Sequence, residues 1–279
     1  MGGGKLFFWD GDDTIEPYAI EECVRFSEKY GVRSVLYSYA NSINGKKGVP
    51  HQHELKKIYQ GKEIVEELLP HFLGHSFSDV NQWIKGKRGM RQGKEHTALW
   101  RIMLDTDTIR KNGLKFDTSL TLGEDTRFIC EYMLHETSMG FMDKCLYYLT
   151  IRESGANLTS KSNAEKRLAD KTKLISARKE LDSKAVALHS IDTHTYWEGT
   201  LVFSAVEMAL RMAKNKNKSI KENYRMYIDF IGNKEVSNAI FDFCPSKGLK
   251  AIPFYMIKSQ IGRILLFSFS VLIPKRKKY

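Results

Sequence analysis

Hydrophobic and polar positions in the first part of the chain follow a strand, then a helix, then a second strand. The apolar residues 6–9 run straight into an acidic segment, residues 15–30 carry apolar side chains at three- and four-residue spacings, and residues 32–39 are β-branched and aromatic. These periods predict strand, acidic loop, helix and strand in that order. In such α/β units ligands collect at the carboxyl ends of the strands, where the acidic loop lies.

Further along, the pattern predicts more mixed elements and then helices alone. Helical periods cover residues 62–72 and 77–84, a strand and a helix are predicted between 97 and 112, another helix follows residues 124 and 125, and residues 144–151 form a strand. From residue 163 onward every predicted element is helical. The predicted fold class is therefore α/β, with a mixed sheet, flanking helices and a helical C-terminal region.

Composition limits the classes of protein that fit. The chain has 279 residues, is 42% hydrophobic and carries a net charge of +11, which favours anionic partners such as phosphates or acidic lipids. No nucleic-acid reading motif accompanies the basic residues, so nucleic acid is not expected as a partner. The four cysteines form no Cys-Xxx-Xxx-Cys pair, which predicts neither a zinc site nor a disulfide framework and favours a reduced, cytosolic setting.

The acidic loop places Asp10, Asp12 and Asp13 within four positions, right after an apolar strand. Carboxylates this close repel one another, so their presence predicts a metal ion or a catalytic role. As Asp-Gly-Asp they are typical of a divalent-cation site for a nucleoside diphosphate. As Asp-Xxx-Asp-Xxx-Thr, ending at Thr14, they are typical of an aspartyl-phosphate hydrolase.

The second acidic feature is the pair Glu124 and Asp125, which follows Gly123 at the start of a predicted helix. Acidic residues in a first helical turn often serve only as caps that interact with the helix dipole. The alternative is a catalytic base.

The hydrolase alternative has a resemblance of its own. The opening resembles the haloacid dehalogenase superfamily, in which Asp10 would be the nucleophile, Asp12 the general acid and Thr14 a helper. That mechanism also needs a later Lys and a second acidic pair. The segment at Gly123 lacks the further Asp four residues on, and no convincing Lys element follows.

A more extensive resemblance covers residues 4–160. Residues 8–17 read Phe-Trp-Asp-Gly-Asp-Asp-Thr-Ile-Glu-Pro and resemble the Asp-Xxx-Asp segment of glycosyltransferase family 2. Further blocks recur in that family's order: Leu99-Trp100-Arg101, Gly113-Leu114-Lys115-Phe116-Asp117, Gly123-Glu124-Asp125-Thr126-Arg127-Phe128, and Tyr147-Tyr148 with Arg152. The resemblance implies a GT-A fold that inverts the anomeric carbon of a nucleotide-diphosphate sugar.

Carried over by position, the resemblance also implies a donor site. Asp10 and Asp12 would face the ribose and diphosphate, and Asp12 or Asp13 would bind Mg²⁺ or Mn²⁺. Arg152 is expected to contact phosphate.

On the acceptor side, the same resemblance makes Asp125 the general base, supported by Glu124. Trp100 and Arg101 fall where the family shapes the acceptor site, although a Trp at this position also suits the core. The acceptor would be a saccharide or a lipid-linked saccharide.

The chain departs from the family at its start, because the nucleobase-binding strands that precede the metal strand in family members have no counterpart before residue 4. The predicted organisation is an N-terminally truncated GT-A-like portion at 1–160, a helical region at 161–250 and a membrane-associating tail at 251–279. An uncovered first strand predicts a protein partner or self-association.

The tail predicts a membrane surface as a partner. Residues 261–273 are mostly apolar, and residues 274–279 add four cations. A helix of this length suits the interface of an anionic membrane rather than its interior. The sequence thus predicts a peripheral glycosyltransferase of cell-surface polysaccharide synthesis at the cytoplasmic face of the membrane. The alternatives are the phosphatase and a non-catalytic, membrane-associated interaction protein.

Overall fold

The computed structural model describes residues 4–151 and 164–272. These residues divide into two compact units. The first comprises 4–73, 93–151 and 180–192, and the second 74–92, 164–179 and 193–272. The domain boundaries at 160 and 250 stay predictions.

Strands lie in the first unit, at Lys5–Leu6 (β1), Thr14–Ile15 (β2), Ser34–Ile43 (β3), Lys46–Pro50 (β4), Ile58–Gln60 (β5), Ile102–Asp105 (β6) and Ser138–Ile151 (β7). The α-helices are Ala19–Tyr30 (α1), Pro70–Leu73 (α2), Phe77–Ile84 (α3), Thr106–Lys111 (α4), Glu124–His135 (α5), Ala164–His189 (α6), Glu198–Ala213 (α7), Ile220–Ile231 (α8), Lys234–Asp242 (α9), Ile252–Met256 (α10) and Gln260–Leu272 (α11).

The strands of the described residues form one mixed sheet in the order β1-β6-β3-β7-β2, with β4 paired to β3 and β5 to β7. Strands β3 and β7 run parallel, and the other pairs are antiparallel. The register of the parallel pair shifts where Tyr37 faces Met142 but Ser38 faces Cys145, so β7 carries a bulge. A bulge increases local twist, which lets the 14-residue strand β7 pair with three different strands.

Two details differ from the pattern along the sequence. The helix predicted from residue 15 begins at Ala19, because Ile15 pairs with Tyr147 in the sheet and Pro17 follows. The helix predicted over 62–72 is divided into a π-helical turn, Ile64–Leu68, and the short helix α2, which begins at Pro70. Proline has no amide hydrogen, so it suits a helix start and interrupts a continuous helix.

The main hydrophobic core of the first unit lies between α1 and the sheet. Cys23 and Phe26 of α1 pack with side chains from β3 and β7, and the cluster also contains Trp100. The sheet side of this core is rich in aromatic side chains, and the hydroxyls of Tyr37 and Tyr147 donate to the Trp100 carbonyl and to Asp13.

The second unit is helical, as the sequence predicts for residues after 163. Three of its helices begin at sequence-encoded caps: Ser76 and Ser219 each form a capping box with the acidic residue three positions later, and Asn233 caps α9. None of the described residues belongs to a helix that is both long and apolar enough to cross a bilayer.

Candidate functional site

The acidic loop is held in place by the C-terminal end of β7. The Tyr147 hydroxyl donates a 2.7 Å hydrogen bond to Oδ2 of Asp13 and accepts one of 3.3 Å from the Asp10 amide, and the Thr150 amide donates a 2.7 Å bond to Oδ1 of Asp13. Within the loop, the Asp13 amide donates to the Asp10 carbonyl at 3.0 Å. The loop conformation is therefore fixed by residues far away in sequence.

The three aspartates of this loop differ in their surroundings. Asp13 is only 9% exposed and uses both carboxylate oxygens to accept hydrogen bonds, whereas Asp10 and Asp12 are exposed. The pKa of Asp10 is raised, first by partial burial and then by the negative charges of Asp13 and Asp12. A cation bound at the loop would relieve this repulsion.

Asp125 lies in the first turn of α5. The preceding Gly123 has φ of 91°, a left-handed conformation that favours glycine and turns the chain into the helix. Burial raises the pKa of Asp125 to about 6, and the negative charges of Glu124 and Asp10 contribute to the same shift. The Phe8 ring, two residues before Asp10, packs on Phe116, which stacks on Phe128 of α5, with centroid distances of 5.9 and 4.5 Å, so the acidic loop lies beside the start of this helix.

Glu124 contributes a second carboxylate to this place. Its Oε2 atom is buried and accepts no hydrogen bond within the part of the chain that the structure describes. An unsatisfied buried acceptor costs free energy, so the site favours a ligand that donates a hydrogen bond to Glu124 or carries positive charge.

Trp100 and Arg101, predicted on the acceptor side, are both buried. The Trp100 ring stacks on Tyr147, with ring centroids 4.3 Å apart and planes 9° apart, and its carbonyl accepts a hydrogen bond from Tyr37. Arg101 forms an ion pair with Glu95 and lies over the ring of Tyr39. The Trp100 ring therefore packs against the Tyr147 ring and holds it in place. Arg101 belongs to a buried charged network.

That network was not apparent from the sequence, because its members are distant along the chain. His53 Nδ1 donates a 2.8 Å hydrogen bond to Glu95, and its Nε2 lies 3.1 Å from the Ser38 hydroxyl. Burial by itself raises the pKa of Glu95, but the hydrogen bond from His53 and the charge of Arg101 outweigh it and lower the pKa to about 2. Glu95 is therefore a carboxylate that keeps two buried basic side chains in place.

Trp9 is a second feature whose role cannot be read from the sequence pattern. Its side chain is 62% exposed although it directly precedes Asp10, and its indole Nε1 donates a 3.3 Å hydrogen bond to the Asp13 carbonyl. The ring is consequently oriented on the acidic loop and open to solvent. An indole next to polar groups is a usual stacking surface for a planar or saccharide ring.

Arg152 and residues 274–279 lie outside the described residues, so their predicted roles stay predictions.

A divalent cation at the acidic loop would have to be shared with a ligand. Among the described residues, no three His, Cys, Asp or Glu side chains converge as a ready-made ligand set. Mg²⁺ is commonly held by only one or two carboxylates together with substrate phosphates, so Asp10 and Asp12 fit such a shared site by charge and exposure. Asp13 fits less well, since both its oxygens already accept hydrogen bonds.

Comparisons with known proteins identify the fold. No protein family and no curated protein matches the sequence. Among solved structures, the chain is similar to residues 1–349 of TarS from S. aureus in complex with UDP-GlcNAc, with a TM-score of 0.55 and 16% identity over 98% of this chain and 68% of that one. The same protein in complex with UDP gives a TM-score of 0.52 and 13% identity over 96% of this chain and 65% of that one.

These similarities show the class of fold. The mixed sheet with flanking helices and a helical C-terminal region is the fold of TarS, a glycosyltransferase, so the predicted fold class is confirmed. Identities of 16% and 13% show the fold alone. Membership of glycosyltransferase family 2 stays a prediction.

Proposed function

We propose that the chain is a glycosyltransferase that moves a sugar from a nucleotide-diphosphate donor to a saccharide or lipid-linked acceptor in cell-surface polysaccharide synthesis. The observation that carries the proposal is the packing of the segments that bear Asp10 and Asp125, which the rings of Phe8, Phe116 and Phe128 join. The likeness to TarS, whose solved complexes contain UDP-GlcNAc and UDP, supports a nucleotide-sugar donor.

Asp125 is the general base in this proposal. A base works best when its pKa lies near the working pH, and a pKa of about 6 leaves the Asp125 carboxylate ionised at neutral pH yet more basic than an ordinary Asp. It accepts the proton of the acceptor hydroxyl as the oxygen attacks the anomeric carbon. The bond from that carbon to the diphosphate breaks, the diphosphate leaves with the electron pair, and the configuration inverts.

Asp10 and Asp12 serve the leaving group. We assign Asp12, with Asp10 beside it, to the divalent cation and the donor, while Asp13 holds the loop through Tyr147 and Thr150. A bound Mg²⁺ or Mn²⁺ would neutralise charge that develops on the diphosphate. In the same proposal Glu124 adds negative charge beside Asp125 and keeps that base strong, and Arg152 contacts phosphate.

Two measurements test this function together. Calorimetry with a panel of nucleoside diphosphates and Mn²⁺ should show binding that is lost in Asp12→Ala and kept in Asp107→Asn, an acidic residue in the first turn of α4 that serves as the control. Hydrolysis of a generic phosphate ester should be absent.

The alternatives give different results in the same assays. Phosphatase activity that disappears in Asp10→Asn would favour the haloacid dehalogenase-type hydrolase and contradict the proposal. If the folded protein shows no nucleotide binding and no phosphatase activity, the result would favour a non-catalytic interaction protein.

A further inference from the structure

Helix α11 presents an apolar face to solvent. Ile261, Ile264, Leu265 and Phe269, here named the apolar stripe, are 73%, 45%, 45% and 56% exposed. Their spacing of three and four residues places them on one side of the helix. Solvated helix faces are normally polar, so this stripe calls for a partner.

The opposite side of α11 is also apolar and is buried in the second unit. Leu266 and Phe267 are buried, and the Phe267 ring packs on Tyr224 and Tyr227 of α8 with centroid distances of 5.2 and 5.8 Å. Gly262 also faces inward, where an added Cβ would lie 2.2 Å from the Met256 carbonyl oxygen. The helix therefore has two apolar faces, one of which the second unit already covers.

The charge of the C-terminal segment favours an anionic partner for the stripe. The described residues 236–272 contain one acidic side chain, Asp242, against four Lys and Arg residues, at positions 247, 250, 258 and 263, and the sequence adds four cations at positions 275–278. Lys258 lies just before the stripe, and its Nζ donates to the backbone carbonyl of Phe241 at 2.9 Å. The Phe241 side chain itself is 83% exposed. The segment thus combines apolar and cationic side chains.

A second copy of the chain is a poor occupant of this surface. A two-fold contact would bring the same cations of two copies together, and their repulsion would oppose the burial of the stripe. An anionic lipid surface satisfies both features, since acyl chains cover apolar side chains and headgroups pair with Lys and Arg. At about 20 Å, α11 has a suitable length for lying along such an interface.

We propose that α11 binds an anionic membrane surface through the apolar stripe, with Lys side chains of the same C-terminal segment at the level of the headgroups. This docking places the chain peripherally on an anionic leaflet, such as the cytoplasmic face of a cell membrane. It does not depend on the catalytic assignment, because none of its residues belongs to the candidate site.

Vesicle sedimentation of the full chain tests the proposal. The protein should bind vesicles of equimolar phosphatidylcholine and phosphatidylglycerol and should bind pure phosphatidylcholine vesicles much more weakly. The double variant Ile261→Ser/Leu265→Ser should bind the anionic vesicles at least roughly tenfold more weakly, because it removes apolar contacts without adding charge. The control Val49→Ser/Ile220→Ser removes two other exposed apolar side chains and should bind like the original chain.

Three results would overturn the proposal. Equal binding by the stripe variant and the original chain would indicate adsorption by charge alone. A dimer in analytical ultracentrifugation that the stripe variant dissociates would assign the surface to a second copy. Absence of binding to anionic vesicles, with circular dichroism showing a folded chain, would exclude a membrane surface.

Discussion

The hydroxyl of Tyr147 lies 2.7 Å from Oδ2 of Asp13 and donates a hydrogen bond to it. The Tyr147 hydroxyl oxygen also accepts a hydrogen bond from the Asp10 amide, so this one side chain holds both ends of the acidic loop. Burial and the bond to Asp13 raise the pKa of Tyr147, which keeps the phenol protonated as a donor at any physiological pH. The loop that offers Asp10 and Asp12 to a ligand therefore depends on strand β7.

Replacement of this hydroxyl should loosen the loop. Tyr147→Phe leaves Asp13 Oδ2 buried without its donor, and we expect a loss of about 1–3 kcal/mol in the free energy of unfolding. Nucleotide affinity measured by calorimetry should fall as well. Tyr148→Phe is a matched control, since the neighbouring hydroxyl bonds Glu16 instead, at 2.8 Å. Equal nucleotide affinities in the two variants would contradict this role of Tyr147.

Loss of the proposed base should affect the reaction rather than donor binding. Asp125→Asn keeps the side-chain shape but cannot accept the acceptor's proton, so the rate of transfer should drop by about 10²- to 10⁴-fold. Calorimetric affinity for the nucleotide should change little. Asp107→Asn, at the equivalent turn of another helix, should retain full activity. A rate in Asp125→Asn near that of the original chain would remove Asp125 from the mechanism.

Acid should inhibit transfer in a way that identifies the base. Since burial and negative neighbours raise the pKa of Asp125 to about 6, kcat/KM should decline as the pH falls through about 6. Glu124→Gln removes one of those negative neighbours and should move the inflection to lower pH. The pH profiles of both proteins provide the measurement, and an inflection that does not move would argue against coupling between the two carboxylates.

The same pKa shift predicts a stability cost at neutral pH. The unfolded chain ionises Asp125 near 3.8 and the folded chain near 6, so the free energy of unfolding falls as the pH rises between these values and stays lower above them. Asp125→Asn lacks this cost. With allowance for its partial solvent exposure, we expect the variant to be more stable by about 1–2 kcal/mol at pH 7 and by nearly nothing at pH 3.5. Urea denaturation at both pH values measures the difference.

Trp9 should report on ligand binding. It is exposed beside the acidic loop, whereas Trp100 and Trp197 are buried and Trp83 is half-buried in α3 of the second unit, so quenching by an added nucleotide sugar should come mainly from Trp9. Trp9→Phe should abolish most of the quenching while keeping an aromatic ring at the site. Persistence of the full quenching in that variant would place the ligand near another tryptophan.

Much of the fold follows from local patterns. The strand Ser34–Ile43, the helix Phe77–Ile84 and the helices after residue 163 all match the predicted periods, because each buries one apolar face or begins at a cap that the sequence encodes. The prediction was wrong where local and distant preferences compete. Ile15 fits the helical spacing, but it pairs with Tyr147 in the sheet and is partly buried against the core.

The sequence by itself determined which carboxylates are candidates for chemistry, since Asp10, Asp12, Asp13, Glu124 and Asp125 stand in two short clusters that repulsion would disfavour without a function. Only the tertiary structure decided how they differ. Asp13 became a buried acceptor of two hydrogen bonds, and Asp125 came within electrostatic reach of Asp10. Spacing along a chain gives charge density, whereas burial and partners from distant strands set the pKa and the accessibility of each group.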